Sequence, residues 1–172
     1  EIGKLATDYI ENGDIIFIWA STTNECLLKN IKNKRIRIIT NSFYIFEQYK
    51  GNKNFELILT GGAWREKSGA FIGEITDRIL SEIKVDKSFI GANGIKDNNV
   101  TNSNKEEASL QEIIMKNSQK NYVLIDSNKF DLKDLYTFYP TDKIDGIITD
   151  SRLNPNIKKK YEKYTKVINT FK

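Results

Sequence analysis

Residues 15–42 have the sequence IIFIWASTTNECLLKNIKNKRIRIITNS, and this stretch decides the fold class. Residues 15–19 form a continuous apolar run, which is typical of a strand buried on both faces of a sheet. Residues 22–31 have the pattern of a helix, and residues 36–40 form a second apolar strand. A strand, a helix and a second strand in this order predict a parallel βαβ unit.

The same alternation continues along the rest of the chain. The sequence predicts further strands over residues 55–59, 88–90, 122–125, 146–148 and 167–168. It predicts helices near residues 2–10, 43–49, 75–83, 106–114 and 157–164. We therefore expect an α/β fold in one domain over residues 1–172, with an open, mostly parallel sheet and helices on both faces. Its connections should be right-handed crossovers.

The composition excludes several classes of function. The 172 residues carry a net charge of +4, with 39% apolar and 29% charged residues, so we expect an ordinary core that needs no metal or disulfide. The absence of histidine excludes a Ser-His-Asp triad, a histidine base and the usual zinc sites. The one cysteine, Cys26, falls in the predicted second helix and should be a small buried side chain. No apolar run is long enough to span a bilayer, and no nucleotide-binding glycine motif is present, so we predict no cofactor.

Polar residues and glycines follow the predicted strands, at the edge where open parallel sheets bind ligands. They are Ser21, Thr22 and Thr23, then Thr40, Asn41 and Ser42, then Gly61, Gly62 and Arg65, then Asn93, Gly94 and Thr101, and finally Asp126 and Lys129. Hydroxyls, helix N-terminal N–H groups and cations together favour an anion. Glu107, at the start of a predicted helix, is a further candidate.

Each of these residues also has an ordinary structural interpretation. Serine, threonine and asparagine at helix starts are common N-caps, and Gly61-Gly62 could be only a turn. Lys129 could be a surface lysine and Glu107 a favourable charge in the first turn of a helix. Trp19 and Trp64 could belong to the core or could wall a sugar site. The anion hypothesis depends on all the strand ends together.

The order of the motifs resembles the C-terminal effector-binding domain of the DeoR family of bacterial sugar-metabolism transcription regulators. Matching segments lie, in family order, at residues 14–18, 21–23, 39–42, 59–62, 69–73, 86–95, 101–104, 107–108, 126–130 and 147–150. Each motif is weak alone, whereas the ordered series over nearly the whole chain is fairly specific.

The resemblance implies a sheet similar to that of ribose-5-phosphate isomerase and the CoA transferases. It implies a non-enzymatic, cytoplasmic sensor of a phosphorylated sugar or pathway intermediate, with the strand-end residues above as ligand contacts. Operator DNA would be bound only through an N-terminal winged helix-turn-helix, which does not precede Glu1 here. We therefore expect the sensor portion of a longer regulator, forming a homo-oligomer, with no membrane partner.

The chain departs from the family pattern at three places. Trp19-Ala20-Ser21 replaces the usual Asp-Ser-Gly, Asn99-Val100 replaces Gly-Leu, and Leu110-Gln111 replaces Val-Lys. These departures affect residues expected to recognise the sugar more than those expected to hold phosphate. The alternative function is a sugar-phosphate isomerase on the same architecture, for which Glu107 or Asp126 could supply the base. Asn93, where the isomerases carry acids, argues against it.

Overall fold

A computed structural model describes residues 1–171 of the chain. Its strands are β1 (Ile15–Ile18), β2 (Ile36–Thr40), β3 (Phe55–Leu59), β4 (Ala63–Arg65), β5 (Ala70–Ile72), β6 (Val85–Gly91), β7 (Gly94–Lys96), β8 (Asn99–Asn102), β9 (Ser118–Leu124), β10 (Tyr136–Tyr139), β11 (Gly146–Ile148) and β12 (Val167–Ile168). Seven of them form one sheet in the order β12-β11-β9-β6-β1-β2-β3. Every pairing in that sheet is parallel.

The helices are α1 (Ile2–Ala6), α2 (Thr22–Glu25), α3 (Phe43–Tyr49), α4 (Glu74–Glu82), α5 (Lys105–Lys116) and α6 (Pro155–Tyr161). Short 3₁₀ turns cover Thr7–Tyr9, Leu28–Asn30, Ser127–Lys129 and Thr141–Lys143. Side-chain caps begin several helices, as when the Ser42 hydroxyl accepts a hydrogen bond from the Ile45 amide at the start of α3. Asn104 begins α5 in the same way, by accepting from the Glu107 amide.

The main sheet is covered on both faces by apolar side chains. On one face, Phe17 of β1 belongs to a core with Leu80 of α4 and Leu110 of α5. On the other face, Ile16 of β1 packs in a core with Leu5 of α1, and Leu28 of the 3₁₀ turn after α2 and Ile45 of α3 contribute to the same core. Successive residues of a strand point to opposite faces, so a continuous apolar run can serve both cores. The predicted fold class is confirmed.

The second predicted helix is wrong in its extent. Instead of one helix over residues 22–31, the chain forms the single turn α2 and then a 3₁₀ turn. The buried Asn24 side chain donates hydrogen bonds to the carbonyls of Trp19 and Phe89, which ties this segment to the strand ends. Backbone hydrogen bonds then tighten to i→i−3 spacing, and Cys26, which was expected to be buried, is exposed.

Five short strands were not predicted, because three or four residues carry too little periodicity to be recognised. β4 and β5 form an antiparallel hairpin, and β10, β8 and β7 form a small antiparallel sheet. Both lie outside the main sheet, and residues in and beside them line a cleft at the carboxyl ends of its central strands. Within residues 1–171, no helix is long and apolar enough to cross a membrane.

Candidate functional site

A cleft of about 240 Å³ lies at the carboxyl ends of the central strands of the sheet. Trp19 follows β1, Gly91 ends β6 and Leu124 ends β9, and all three line this cleft. The remaining walls come from the start of α2, the turn of the β4–β5 hairpin, the loops on either side of the small sheet and the 3₁₀ turn at Ser127–Lys129. This is the location at which open α/β sheets bind ligands.

Three cationic side chains line the cleft, namely Arg65, Lys67 and Lys129. Arg65 ends β4 and Lys67 lies in the hairpin turn. Lys129 ends the 3₁₀ turn at Ser127–Lys129, which is far from the hairpin in sequence. The Nζ of Lys129 donates a hydrogen bond of 3.2 Å to the Ala92 carbonyl, which fixes the direction of this side chain. The only carboxylate among the lining residues is that of Glu107, so the cleft has a net positive charge.

Glu107 is buried, with 6% of its surface exposed, and its two oxygens have different surroundings. Oε2 accepts a hydrogen bond of 3.4 Å from the Asn102 amide. Oε1 lies 3.5 Å from Nη1 of Arg65, which is within ion-pair range, but it makes no hydrogen bond. The carboxylate is thus anchored through one oxygen, while the other is buried beside Arg65 without a hydrogen bond.

Glu107 belongs to a buried network of hydrogen bonds that also contains Asn102 and Gln111. The Asn102 amide also donates to Oε1 of Gln111 at 2.8 Å, and Nε2 of Gln111 donates to the Gly91 carbonyl at 2.8 Å. Asn102 is 3% exposed and Gln111 is 1% exposed. Gln111 is one of the residues that depart from the family pattern, and here it links α5 to the end of the central strand β6.

Hydroxyl groups complete the lining. Ser21 caps α2 by accepting a hydrogen bond from the Asn24 amide at 3.1 Å, and Thr22 and Thr23 follow it in the first helical turn. Ser68 lies in the hairpin turn and Ser103 precedes the N-cap of α5. The Ser68 hydroxyl oxygen is buried and has no hydrogen-bond partner. Within residues 1–171, no cluster of His, Cys, Asp and Glu side chains is arranged to hold a metal ion.

The structure brings together some of the predicted site residues and separates others. Those that line the cleft are Ser21, Thr22, Thr23, Arg65, Asn93, Glu107 and Lys129. Those outside its lining are Thr40, Asn41, Ser42, Gly61, Gly62, Gly94, Thr101 and Asp126. Their ligand contacts remain predictions from the sequence, and in the structure each has a structural role.

Thr40 ends β2, and it is buried together with the next two residues, Asn41 and Ser42. Thr40 donates to the Ile18 carbonyl and accepts from the Ser42 amide. The Asn41 side chain accepts from the Ala20 amide at 3.0 Å and donates to the Phe71 carbonyl at 3.2 Å. Asn41 therefore fixes both the β1–α2 loop and the hairpin, and so positions two walls of the cleft.

The remaining predicted residues shape turns. Gly61 and Gly62 both have positive φ, and the Thr76 hydroxyl donates to the Gly61 carbonyl at 2.7 Å. The buried Thr101 hydroxyl donates to the Gly94 carbonyl, which joins β8 to β7. Asp126 caps its own 3₁₀ turn and lines a separate depression near Glu1.

Sequence reasoning missed Lys67, Ser68 and Ser103, which all line the cleft. Lys67 and Ser68 belong to the segment Arg65-Glu66-Lys67-Ser68-Gly69, in which the polar run before a glycine is the only signal of a turn. Trp19 is 2% exposed at the cleft wall. Trp64 instead contacts Phe43, Tyr44 and Phe71 in an exposed aromatic cluster.

A family model described as the DeoR C terminal sensor domain matches residues 1–151. The chain is 36% identical over 169 residues to a lactose phosphotransferase system repressor of Staphylococcus epidermidis RP62A, which covers 97% of the chain and 67% of the relative. It is 34% identical over 170 residues to the protein of the same name from Streptococcus mutans, covering 98% and 67%. The chain thus spans about two thirds of the length of these relatives.

Solved structures of other proteins share the fold. A ribose 5-phosphate isomerase A from Methanocaldococcus jannaschii superposes with a TM-score of 0.51 at 18% identity, covering 75% of this chain and 52% of that one. The eIF2B beta subunit of Chaetomium thermophilum superposes with a TM-score of 0.60 at 15% identity, covering 96% and 52%. At these identities the likeness concerns the fold alone.

Proposed function

Because the chain belongs to the DeoR family as its C-terminal sensor domain, we propose that its cleft binds a phosphorylated sugar-pathway metabolite as the effector of a sugar-operon repressor. The relatives named as repressors of a lactose phosphotransferase system support a regulatory sensor role. One observation carries the ligand class: Arg65, Lys67 and Lys129 line the same cleft, against the single carboxylate of Glu107.

A phosphoryl group gains more from this arrangement than a neutral sugar does. Hydrogen bonds between charged partners contribute about 1.5–3 kcal/mol each, which corresponds to about 10- to 150-fold in dissociation constant. The cations come from two separate parts of the chain, the hairpin and the turn at Ser127–Lys129. A phosphoryl group that pairs with a cation from each part would hold the hairpin and the turn together. Ligand binding would thereby change the shape of the domain.

Titration calorimetry with a panel of hexose 6-phosphates tests the proposal. Lys129→Ala removes one cation of the cleft. Lys143→Ala is its matched control, because Lys143 also ends a 3₁₀ turn but is exposed and does not line the cleft. We expect Lys129→Ala to raise the dissociation constant by about 10-fold or more. We expect Lys143→Ala to leave it within about twofold. Equal affinities for the two variants would contradict the proposed phosphate site.

We further propose that the effector acts by population shift. In the whole regulator, DNA-competent and DNA-incompetent states would differ in affinity for the ligand, and this difference limits how far repression can change. Operator binding is assigned to a winged helix-turn-helix outside residues 1–172. The isolated chain should therefore show no sequence-specific retention of duplex DNA at physiological salt.

The proposed role is sensing without turnover, in keeping with relatives that are named as repressors. Glu107 is the one lining carboxylate, and it is anchored by Asn102 on one oxygen and faces Arg65 on the other. Incubation with ribose 5-phosphate or a ketose phosphate should yield no isomer above a blank. Turnover that disappears in Glu107→Gln would instead support an isomerase.

We also propose that the protein forms a homo-oligomer. Phe43, Tyr44 and Trp64 are all more than one third exposed and contact one another edge to face. Exposed apolar clusters of this kind are typical of interaction surfaces. The edge strand β3 is paired with β2 on one side only, and its Ile58 is 40% exposed. Two-fold assembly would suit a regulator of a palindromic operator.

A further inference from the structure

Two of the residues that line the cleft each carry a buried oxygen without a hydrogen-bond partner. Within residues 1–171, the buried side-chain oxygens or nitrogens without a partner belong to Asn24, Tyr49, Ser68, Glu107 and Thr149. Of these residues, Ser68 and Glu107 line the candidate site. Buried polar atoms are nearly always satisfied in folded proteins, so two unsatisfied oxygens on residues that line one cleft mark a place where a polar ligand could supply the missing hydrogen bonds.

The two atoms differ in chemistry from the cations beside them. A carboxylate oxygen only accepts hydrogen bonds, and a serine hydroxyl can both donate and accept. The dianionic phosphoryl group of a sugar phosphate has no proton to donate to Oε1 of Glu107, and the two groups carry like charges. A hydroxyl group can donate to Oε1 of Glu107, and a second hydroxyl of the same molecule can exchange a hydrogen bond with Ser68.

Resting on the proposed function, we propose that Glu107 and Ser68 form a hydroxyl-recognising subsite, which makes Glu107 a specificity-determining residue for polyhydroxylated phosphates. The geometry suits this role, because Asn102 holds Oε2 of Glu107 and the N-cap Asn104 holds its backbone amide, while Oε1 has no hydrogen-bond partner. Glu107 would discriminate against ligands that lack a hydroxyl group. It would also repel ligands that place a carboxylate there.

A purely structural role for Glu107 predicts something different. If its carboxylate only neutralised Arg65 at 3.5 Å, its removal would change the affinity of every phosphate compound by the same factor. The ratio of affinities between a sugar phosphate and inorganic phosphate would then stay constant. A hydroxyl acceptor predicts that this ratio falls, while the affinity for inorganic phosphate is kept or increased.

The experiment measures dissociation constants for inorganic phosphate and for a panel of aldose and ketose hexose 6-phosphates, with wild type, Glu107→Gln and Ser68→Ala. For wild type we expect the tightest sugar phosphate to bind at least about tenfold more tightly than inorganic phosphate. In Glu107→Gln this ratio should fall about tenfold, with inorganic phosphate bound at least as well as in wild type. Ser68→Ala removes a hydroxyl that makes no hydrogen bond within the protein, so it should lower the ratio about threefold without affecting folding.

The measured ratios either support or contradict the proposed hydroxyl-recognising subsite. An unchanged ratio in both variants, or a wild-type ratio near one, would overturn the hydroxyl-recognising subsite while leaving the phosphate site intact. Failure of every phosphate compound, inorganic phosphate included, to bind wild type would overturn the proposed function itself. If Glu107→Gln does not fold by circular dichroism, Ser68→Ala decides alone.

Discussion

Nη1 of Arg65 lies 3.5 Å from Oε1 of Glu107, so the β4–β5 hairpin meets helix α5 through opposite charges at the wall of the cleft. The Arg65 side chain is 22% exposed and that of Glu107 is 8% exposed. The pair therefore brings the only carboxylate of the cleft to one of its three cations. It also connects two elements that are far apart in sequence.

We expect Arg65→Met to destabilise the protein by about 1–3 kcal/mol, because it leaves the buried Glu107 carboxylate without its cationic neighbour. Methionine retains much of the apolar packing of the arginine stem. Urea unfolding of Arg65→Met, Glu107→Gln and the double variant measures the coupling between the two residues. The double variant should be more stable than the sum of the single effects implies. Strict additivity would mean that the ion pair contributes nothing to the fold.

The two glycines after β3 should respond differently to alanine. A Cβ at Gly62 would lie 2.6 Å from the Ile72 carbonyl oxygen, and φ there is +124°, so we expect a loss of several kcal/mol or failure to fold. A Cβ at Gly61 meets nothing within 4 Å, and its φ of +65° costs an L-residue about 1–2 kcal/mol. Thermal unfolding of Gly61→Ala and Gly62→Ala compares them. Equal losses would show that Gly62 is not confined by the Ile72 carbonyl at the end of β5.

Asp150 should contribute to the acid dependence of stability. Burial opposes its charged form, but hydrogen bonds from Arg152 and Ser127 outweigh burial and hold the pKa of Asp150 well below its usual range. A group with a lowered folded pKa stabilises the fold above the unfolded value of about 3.9, and the stabilisation is lost as pH falls toward the folded value.

Asp150→Asn should therefore be less stable than wild type at pH 7 and should lose less stability between about pH 5 and pH 3. Urea midpoints across this range give the comparison. Asp142→Asn is the control, because Asp142 is exposed on a 3₁₀ turn. Parallel pH profiles for wild type and Asp150→Asn would contradict the assignment.

Sedimentation velocity at tens of micromolar tests the proposed homo-oligomer. We expect a dimer or a larger closed assembly for wild type. Trp64→Arg places a charge in the centre of the exposed aromatic cluster and should shift the distribution toward monomer. A wild-type monomer would contradict the assembly. An unaffected oligomer in Trp64→Arg would place its interface elsewhere.

The sequence was sufficient for the main sheet because each of its strands contains a short apolar segment and most are separated by helical segments. It was not sufficient for the hairpin, because strands as short as Ala63–Arg65 carry no clear period. This one element explains most of the difference at the site. The side chain of Asn41 donates a hydrogen bond to the Phe71 carbonyl of the hairpin and does not line the cleft. The hairpin turn places Lys67 and Ser68 in the cleft lining. The strand-end residues therefore predict a site at the edge of the sheet where the cleft lies, whereas tertiary packing determines which of them line it.

Thermal shift of the wild-type protein with matched neutral and phosphorylated sugars shows directly whether the cleft selects a phosphoryl group. A ligand at about one hundred times its dissociation constant adds about 2.7 kcal/mol to stability, which is about 5–10 °C in Tm for a domain of this size. We predict such a shift with at least one hexose 6-phosphate and none with its unphosphorylated counterpart, since Arg65, Lys67 and Lys129 line the cleft. Equal stabilisation by neutral sugars and their phosphates would contradict the proposal that the cleft binds a phosphorylated ligand.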